Sequence, residues 1–83
     1  MNLYLITQDV TCGYDTYDSC VVCAASEADA RLIHPQERYA VSYGRNWDRH
    51  TWADRPDQVT AKLLGVADAS LHAGVVCASY NAG

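Results

Sequence analysis

The sequence predicts an α+β domain in which one helix covers one face of an antiparallel four-stranded sheet, in the order β-β-α-β-β. Its 83 residues leave room for a single core, so residues 1–83 are predicted to form one domain. Apolar residues make up 49% of the chain and charged residues 19%, a balance typical of globular proteins. Short strand-like stretches lie near both ends of the chain, with a helical pattern between them.

Two strands are predicted in the first 25 residues. In residues 2–8 apolar side chains alternate onto both faces of an extended chain, which is typical of a strand inside a sheet. Residues 9–18 contain Gly13 and several Asp and Thr residues and are predicted to form a connecting loop. Residues 19–25 are predicted to be the hairpin partner of the first strand.

A short helix is predicted to begin after Ser26, whose hydroxyl can cap free backbone amides. Acidic residues in its first turn would face the positive end of the helix dipole. Ala28 and Leu32 are four residues apart and are predicted to pack together on the sheet. The helix is expected to end near His34, because a residue before proline avoids helical geometry.

The second half of the chain is predicted to contain a long connection and two more strands. Residues 36–58 show no regular period, and a loop of this length needs anchors. Residues 59–64 alternate as a strand that is predicted to end at Gly65, and Gly74 is predicted to open a fourth strand through residue 80. The proposed anchors of the connection are the aromatic residues Tyr39, Tyr43, Trp47 and Trp52.

The four cysteines favour neither a metal site nor an enzyme. Cys20 and Cys23 have the spacing of half a zinc knuckle, but in a strand their side chains point to opposite faces. We therefore expect them to act as small buried apolar residues and expect no metal ion. Cys23 and His50 can be posed as a catalytic dyad, yet no local motif marks either residue. No phosphate-binding glycine loop is present either, so neither enzymatic activity nor a cofactor is expected.

The N-terminal region predicts a protein of the reducing cytoplasm. Its apolar stretch, residues 3–6, is too short for a signal peptide and has no basic residue before it. No apolar run approaches the roughly 20 residues that a membrane span requires. Reduced cysteines and no membrane contact are the expectations that follow.

Residues 38–55 interleave arginines with aromatic residues, which is the best nucleic-acid-binding signal in the chain. Residues 31–62 hold six cations against four acids, a slight excess within a chain of net charge −4. Arg49 and Arg55 can also pair with the neighbouring Asp48 and Asp54. Direct nucleic-acid binding is therefore the second hypothesis. The residues that would perform it are Arg45, Trp47, Arg49, Trp52 and Arg55.

Residues 1–30 contain five acids and neither Lys nor Arg, although protein surfaces usually mix both signs of charge. Helix-start and turn geometry explain some of these acids. If they lie on one face, their carboxylates imitate DNA, which carries one phosphate charge per about 1.7 Å of its axis. Two nearby tyrosines add rigid contact area. The predicted partner-binding residues are Asp9, Tyr14, Asp15, Tyr17, Asp18, Glu27 and Asp29.

Three stretches carry a resemblance to a known family. The segments YLITQDV, GYDTYDSxVVxAxxExxARxIHP and GVVxASYNAG resemble a family of small proteins encoded by phages, prophages and mobile elements. The likeness covers the start, the middle strand and helix, and the end of the chain, and it is weakest over residues 36–58. Small apolar residues are usual in this family where the chain has Cys20 and Cys23, which further weakens a zinc site.

Small acidic phage proteins often block host machinery, and the resemblance implies a member of the anti-CRISPR class. The implied partner is a host protein complex, a type I CRISPR–Cas effector, whose subunit that reads the protospacer-adjacent motif would accept an acidic copy of DNA. The protein would then act in the host bacterial cytoplasm as a monomer, without touching nucleic acid itself. A small regulatory protein, a thiol enzyme and a structural accessory are the remaining alternatives.

Overall fold

The computed structural model describes residues 1–36 and 51–82 and confirms the predicted α+β class. Four antiparallel strands form one sheet, and a short helix packs on one of its faces. None of the helices within those residues is long and apolar enough to cross a membrane. The elements are β1 (Asn2–Thr7), β2 (Thr16–Ala24), α1 (Glu27–Arg31), a 3₁₀ turn (Pro56–Gln58), β3 (Thr60–Val66) and β4 (Gly74–Asn81).

The first hairpin forms the inside of the sheet and the later strands flank it, in the spatial order β3-β1-β2-β4. Val66 at the end of β3 pairs with Asn2, and Gly74 at the start of β4 pairs with Cys23. Both residues lie at the same end of the sheet, so residues 67–73 pass along that end from one edge to the other. Three strand spacings amount to about 14 Å, well within the reach of seven extended residues.

Strand boundaries differ from the predicted ones where the pairing is irregular. β2 begins at Thr16, not at residue 19, and its register with β4 shifts between Tyr17 and Ser19. β3 continues through Gly65, because the pairing of β1 with β3 shifts between Leu3 and Tyr4 and accommodates an extra residue there. Such irregularities break the two-residue period that sequence analysis relies on.

The core lies between the sheet and the segment that carries α1. Tyr4 and Ile6 of β1 alternate onto this face and pair with Val22 and Cys20 of β2. All four are buried in one cluster. The opposite-facing positions of β1 are only half-buried, so the central strands are covered more completely on the helix side than on the other side. The remaining members of the cluster are Ala24, Ala30, Ile33, Trp52, Ala53 and Val59.

The helix buries a different pair of residues from the predicted one. Ala30 and Ile33 are fully buried, whereas Ala28 is exposed and Leu32 is half-buried. The helix ends at Arg31, with Leu32 as its C-terminal cap, so Ile33 reaches the core from the chain beyond the helix. The prediction of an Ala28–Leu32 contact on the sheet was therefore wrong. A helix of five residues is too short for periodicity to define its buried side.

Trp52 anchors the end of the long connection, as predicted, because its side chain is fully buried in the core. The backbone of Thr51 accepts a 2.8 Å hydrogen bond from the amide of Tyr17 in β2. Together these contacts attach the segment before β3 to the central hairpin. The other predicted anchors, Tyr39, Tyr43 and Trp47, lie outside the described residues.

Candidate functional site at the hairpin end

The end of the β1–β2 hairpin gathers most of the residues predicted to bind a partner. Asp9 and Tyr14 lie in the loop, as does Asp15, while Tyr17 and Asp18 lie at the start of β2. Tyr17 is half-buried and the other four are exposed. Tyr14 shows the greatest exposure of the aromatic residues here, at 77%.

Gln8 organises the first part of this loop through four hydrogen bonds. Its side-chain oxygen accepts from the amides of Val10 and Thr11 at 2.9 and 2.8 Å. Its side-chain nitrogen donates to the carbonyl oxygens of Thr11 and Tyr17 at 2.7 and 3.2 Å. One polar side chain thus joins both strands of the hairpin to the loop, which restricts the conformations open to Asp9 and its neighbours.

The second part of the loop is fixed to the end of β4. Gly13 has φ of +108°, a conformation that glycine adopts without the strain a side chain would cause, and Asp15 has φ of +59°. The carbonyl oxygen of Gly13 accepts hydrogen bonds from Thr16 Oγ1 at 2.8 Å and Asn81 Nδ2 at 2.7 Å. The amide of Asp15 donates to the carbonyl oxygen of Asn81. The acidic loop is therefore held on both sides by hydrogen bonds to its backbone groups.

Tyr80 belongs to the same site, although no local sequence pattern marks it. Its hydroxyl donates to Asp15 Oδ1 at 3.3 Å, and its ring lies 4.8 Å from that of Tyr17 at a 50° angle. Desolvation and, after it, the neighbouring Asp15 carboxylate raise the pKa of Tyr80, so it remains a donor at neutral pH. We call Tyr14, Asp15, Tyr17, Asp18 and Tyr80 the hairpin-end surface.

Glu27 and Asp29 lie at the other end of the sheet from the hairpin-end surface. Residues 18–24 of β2 separate the two groups, a length of about 20 Å at 3.3 Å per residue. Ser26 Oγ accepts a hydrogen bond from the Asp29 amide at 3.1 Å, and both acids occupy the first turn of α1. The loop acids thus lie at one end of the sheet, while the helix-start acids lie at the other end and have a local role at α1.

The arginine- and tryptophan-rich alternative site falls largely outside the described residues, which include only Trp52 and Arg55 of its named members. Trp52 is fully buried and has no exposed face on which a base could stack. Arg55 pairs with Asp57 at 3.4 Å, not with Asp54 as predicted. In the part that is described, this segment serves the core and its own turn.

The cysteines of the C-x-x-C stretch both lie in the protein interior. Cys20 pairs with Ile6 on the face of the sheet that carries the helix-side core. Cys23 pairs with Leu3, and both lie on the other face of the sheet. Burial, followed by the nearby Cys77 thiol, raises the pKa of Cys20 to about 12. Within residues 1–36 and 51–82, no three His, Cys, Asp or Glu side chains are grouped to hold a metal ion.

Comparison with known proteins gave no match to a family model, to a curated protein or to a solved structure. The site must therefore be interpreted from its own chemistry. It offers exposed carboxylates and tyrosines on a hydrogen-bonded scaffold, a combination suited to recognising a basic surface.

Proposed function

We propose that this chain is an inhibitor that binds a host protein through the hairpin-end surface and occupies a basic groove made to read DNA. The observation that supports this most is the exposed pair Asp15 and Asp18 beside tyrosines, in a 30-residue segment with no Lys or Arg. Carboxylates in such a setting attract arginines and lysines that would otherwise contact phosphates.

The fixed conformation of the loop supports the same proposal, because it reduces the conformational entropy lost on binding. A flexible acidic loop would lose conformational freedom on binding, at about 0.5–1.5 kcal/mol for each side chain that becomes ordered. Here Gln8, Gly13 and Asn81 hold the loop before any partner arrives. Tyr17 and Tyr80 pack on each other, so their rings add contact area at little further cost.

The particular partner that we propose is a type I CRISPR–Cas effector complex in the bacterial cytoplasm, at the subunit that reads the protospacer-adjacent motif. The resemblance of the three sequence segments to small phage-encoded proteins supports this choice, as does the net charge of −4. Glu27 and Asp29 would contribute through the long-range field, which falls off over about 8–10 Å at physiological salt.

The experiment mixes the purified protein with a type I effector complex and measures binding of target DNA by gel shift or fluorescence anisotropy. We expect wild type to reduce DNA binding in proportion to dose, and more strongly at low salt. The double variant Asp15→Lys/Asp18→Lys should weaken inhibition at least about tenfold, which corresponds to about 1.4 kcal/mol.

A charge-matched control separates the surface from the overall charge. The double variant Asp57→Lys/Asp68→Lys changes the same number of charges at exposed positions outside the hairpin-end surface. It should inhibit as wild type does. Equal loss in both variants would mean that net charge alone acts, and no inhibition by wild type at any dose would refute the proposal. Retardation of DNA by the protein alone would instead favour direct nucleic-acid binding.

A further inference from the structure

Among the described strands, β4 forms an outer edge of the sheet, and its own sequence carries none of the residues that usually protect an edge against strand pairing. Among the described strands it pairs with β2 alone. Its eight residues, GVVCASYN, include no charged side chain and no proline. Natural edge strands usually carry a lysine, a proline or a covering segment that prevents another strand from adding to them. The opposite edge strand, β3, has Lys62 near its centre.

A groove of about 580 Å³ runs beside this edge. That volume lies within the range of about 300–1,000 Å³ typical of binding pockets. Val76, one of its lining residues, is 44% exposed, so its side chain is accessible to a partner. The groove therefore has room for side chains of a segment that pairs with β4. Its lining residues are Tyr17, Pro35, Gln36, Val75, Val76, Cys77 and Ala78.

The charge at one end of the edge indicates what such a segment would carry. Tyr80, near the C-terminal end of β4, donates its hydroxyl to Asp15, and Asp18 lies beside the same strand end at the irregular pairing of β2 with β4. The helix packs over β1, β2 and β3. Among residues 1–36 and 51–82, the acids at the C-terminal end of β4 are thus those of the hairpin-end surface.

We propose that the β4 edge binds an extended segment of the partner protein as a fifth strand, antiparallel to β4. Main-chain hydrogen bonds would provide affinity and the groove would select small apolar side chains. Antiparallel pairing is the slightly more stable arrangement, and it places the segment's N-terminal residues beside Asp15 and Asp18. A basic residue at the N-terminal end of the segment would then pair with these two carboxylates. This inference rests on the proposed function for the basic character of the partner and adds how that partner docks.

The net charge of the chain also argues against a second copy of the chain as the segment that pairs with β4. Each copy carries a net charge of −4, and β4 contributes no cation to offset it. Two β4 strands paired edge to edge would bring acidic molecules together without opposite charges at the shared strands. A basic extended segment would not be repelled in this way.

The test uses ¹⁵N-labelled full-length protein and a synthetic peptide, RRTVTVTV, acetylated and amidated at its ends. NMR titration should shift the amide signals of residues 74–81 together with that of Tyr17. The reversed peptide VTVTVTRR, which places its arginines away from Asp15, should bind at least about fivefold more weakly. A peptide with prolines in place of its valines should not bind, because it lacks the required amide donors.

Matched variants locate the contact. Val76→Lys should weaken binding about tenfold, whereas Leu63→Lys, at a 59% exposed position on the β3 edge, should leave it unchanged. The variant Asp15→Asn/Asp18→Asn should remove the preference for RRTVTVTV over its reverse. These two acids are exposed, so this variant keeps the test valid even if Val76→Lys were to disturb folding.

Four outcomes would overturn the inference. They are shifts confined to residues 13–18, equal binding of the proline peptide, slow hydrogen exchange of every β4 amide in the free protein, and self-association that Val76→Lys abolishes. The last outcome would assign the edge to a second copy. Because this assay contains neither effector complex nor DNA, its failure leaves the inhibition experiment to be judged separately.

Discussion

Gln8 shows how a single side chain shapes a site without belonging to its surface. The hairpin-end acids attract attention in the sequence because of their charge, whereas Gln8 is a neutral residue just after β1. Its amide satisfies three backbone groups of the loop and one of β2. The sequence carries no signal for this role, because a glutamine at a strand end is most often a solvated side chain.

Replacing Gln8 with Ala should lower the free energy of unfolding by about 1–3 kcal/mol, since several loop groups would lose their partner. Urea unfolding followed by circular dichroism would measure this change. Gln36→Ala, at an exposed position, is the control and should change stability by less than about 0.5 kcal/mol. If both variants unfolded alike, the Gln8 hydrogen bonds would not hold the loop.

Cys20 should make the stability of the protein fall in alkaline solution. Burial raises its pKa from 9.0 to about 12 in the folded state, so above pH 9 the unfolded chain loses this proton while the folded chain keeps it. Stability is therefore fully present below pH 9 and declines as pH rises toward 12. The loss attributable to this thiol should be about 1 kcal/mol between pH 8 and pH 10.

Urea unfolding at both pH values, under reducing conditions, measures this effect. Cys20→Ala should reduce the difference between pH 8 and pH 10, whereas Cys12→Ala, at an exposed position, should keep it. An unchanged difference in Cys20→Ala would show that the buried thiol does not cause the decline.

At the scale of elements, the sequence predicted which segments form strands and helix but not where each one stops. Period and strand propensity found all four described strands, because each contains a short run rich in apolar residues, most of them strand formers. They missed Thr16 and Val66 as strand residues, which pair with a neighbouring strand beyond an irregularity in its register. The buried side of α1 was also missed, because it depends on where β2 ends and on Ile33 beyond the helix.

The N-cap of α1 was predictable from chemistry alone. Ser26 Oγ accepts from the amide of Asp29, as expected of a serine before a first turn. Ser26→Ala should destabilise the protein by about 1 kcal/mol, measured by urea unfolding. Ser26→Asn keeps a capping oxygen and should retain nearly full stability. Equal losses in the two variants would mean that the cap contributes little.

For the whole molecule, strand order decided which predicted site residues come together. Asp9, Asp15 and Asp18 lie at the same end of the sheet because ten residues of one hairpin contain them all. Tyr80 lies beside these residues only because β4 pairs with β2. This pairing of distant strands cannot be recognised from the local sequence pattern. Glu27 and Asp29 lie apart because β2 carries the chain to the far end of the sheet.

Trp52 links the second half of the chain to the central hairpin, so its truncation should affect the whole fold. Trp52→Ala should lower the free energy of unfolding by about 3–5 kcal/mol, through lost burial and the cavity left behind. Thermal unfolding should then occur more than 10 °C lower, since about 1 kcal/mol shifts a domain of this size by 4–8 °C. Trp52→Phe should cost less. A small shift for the alanine variant would contradict the anchoring role.

The route of residues 67–73 along the end of the sheet has a kinetic consequence. Because both outer strands come late in the chain, β4 closes onto β2 by pairing Thr16 with Asn81 and Cys23 with Gly74, partners 65 and 51 positions apart. Such distant pairings must form against a large loss of chain entropy, which slows the search for the native topology. Refolding should proceed over milliseconds to seconds, and the last contacts to form should be those of the outermost strands.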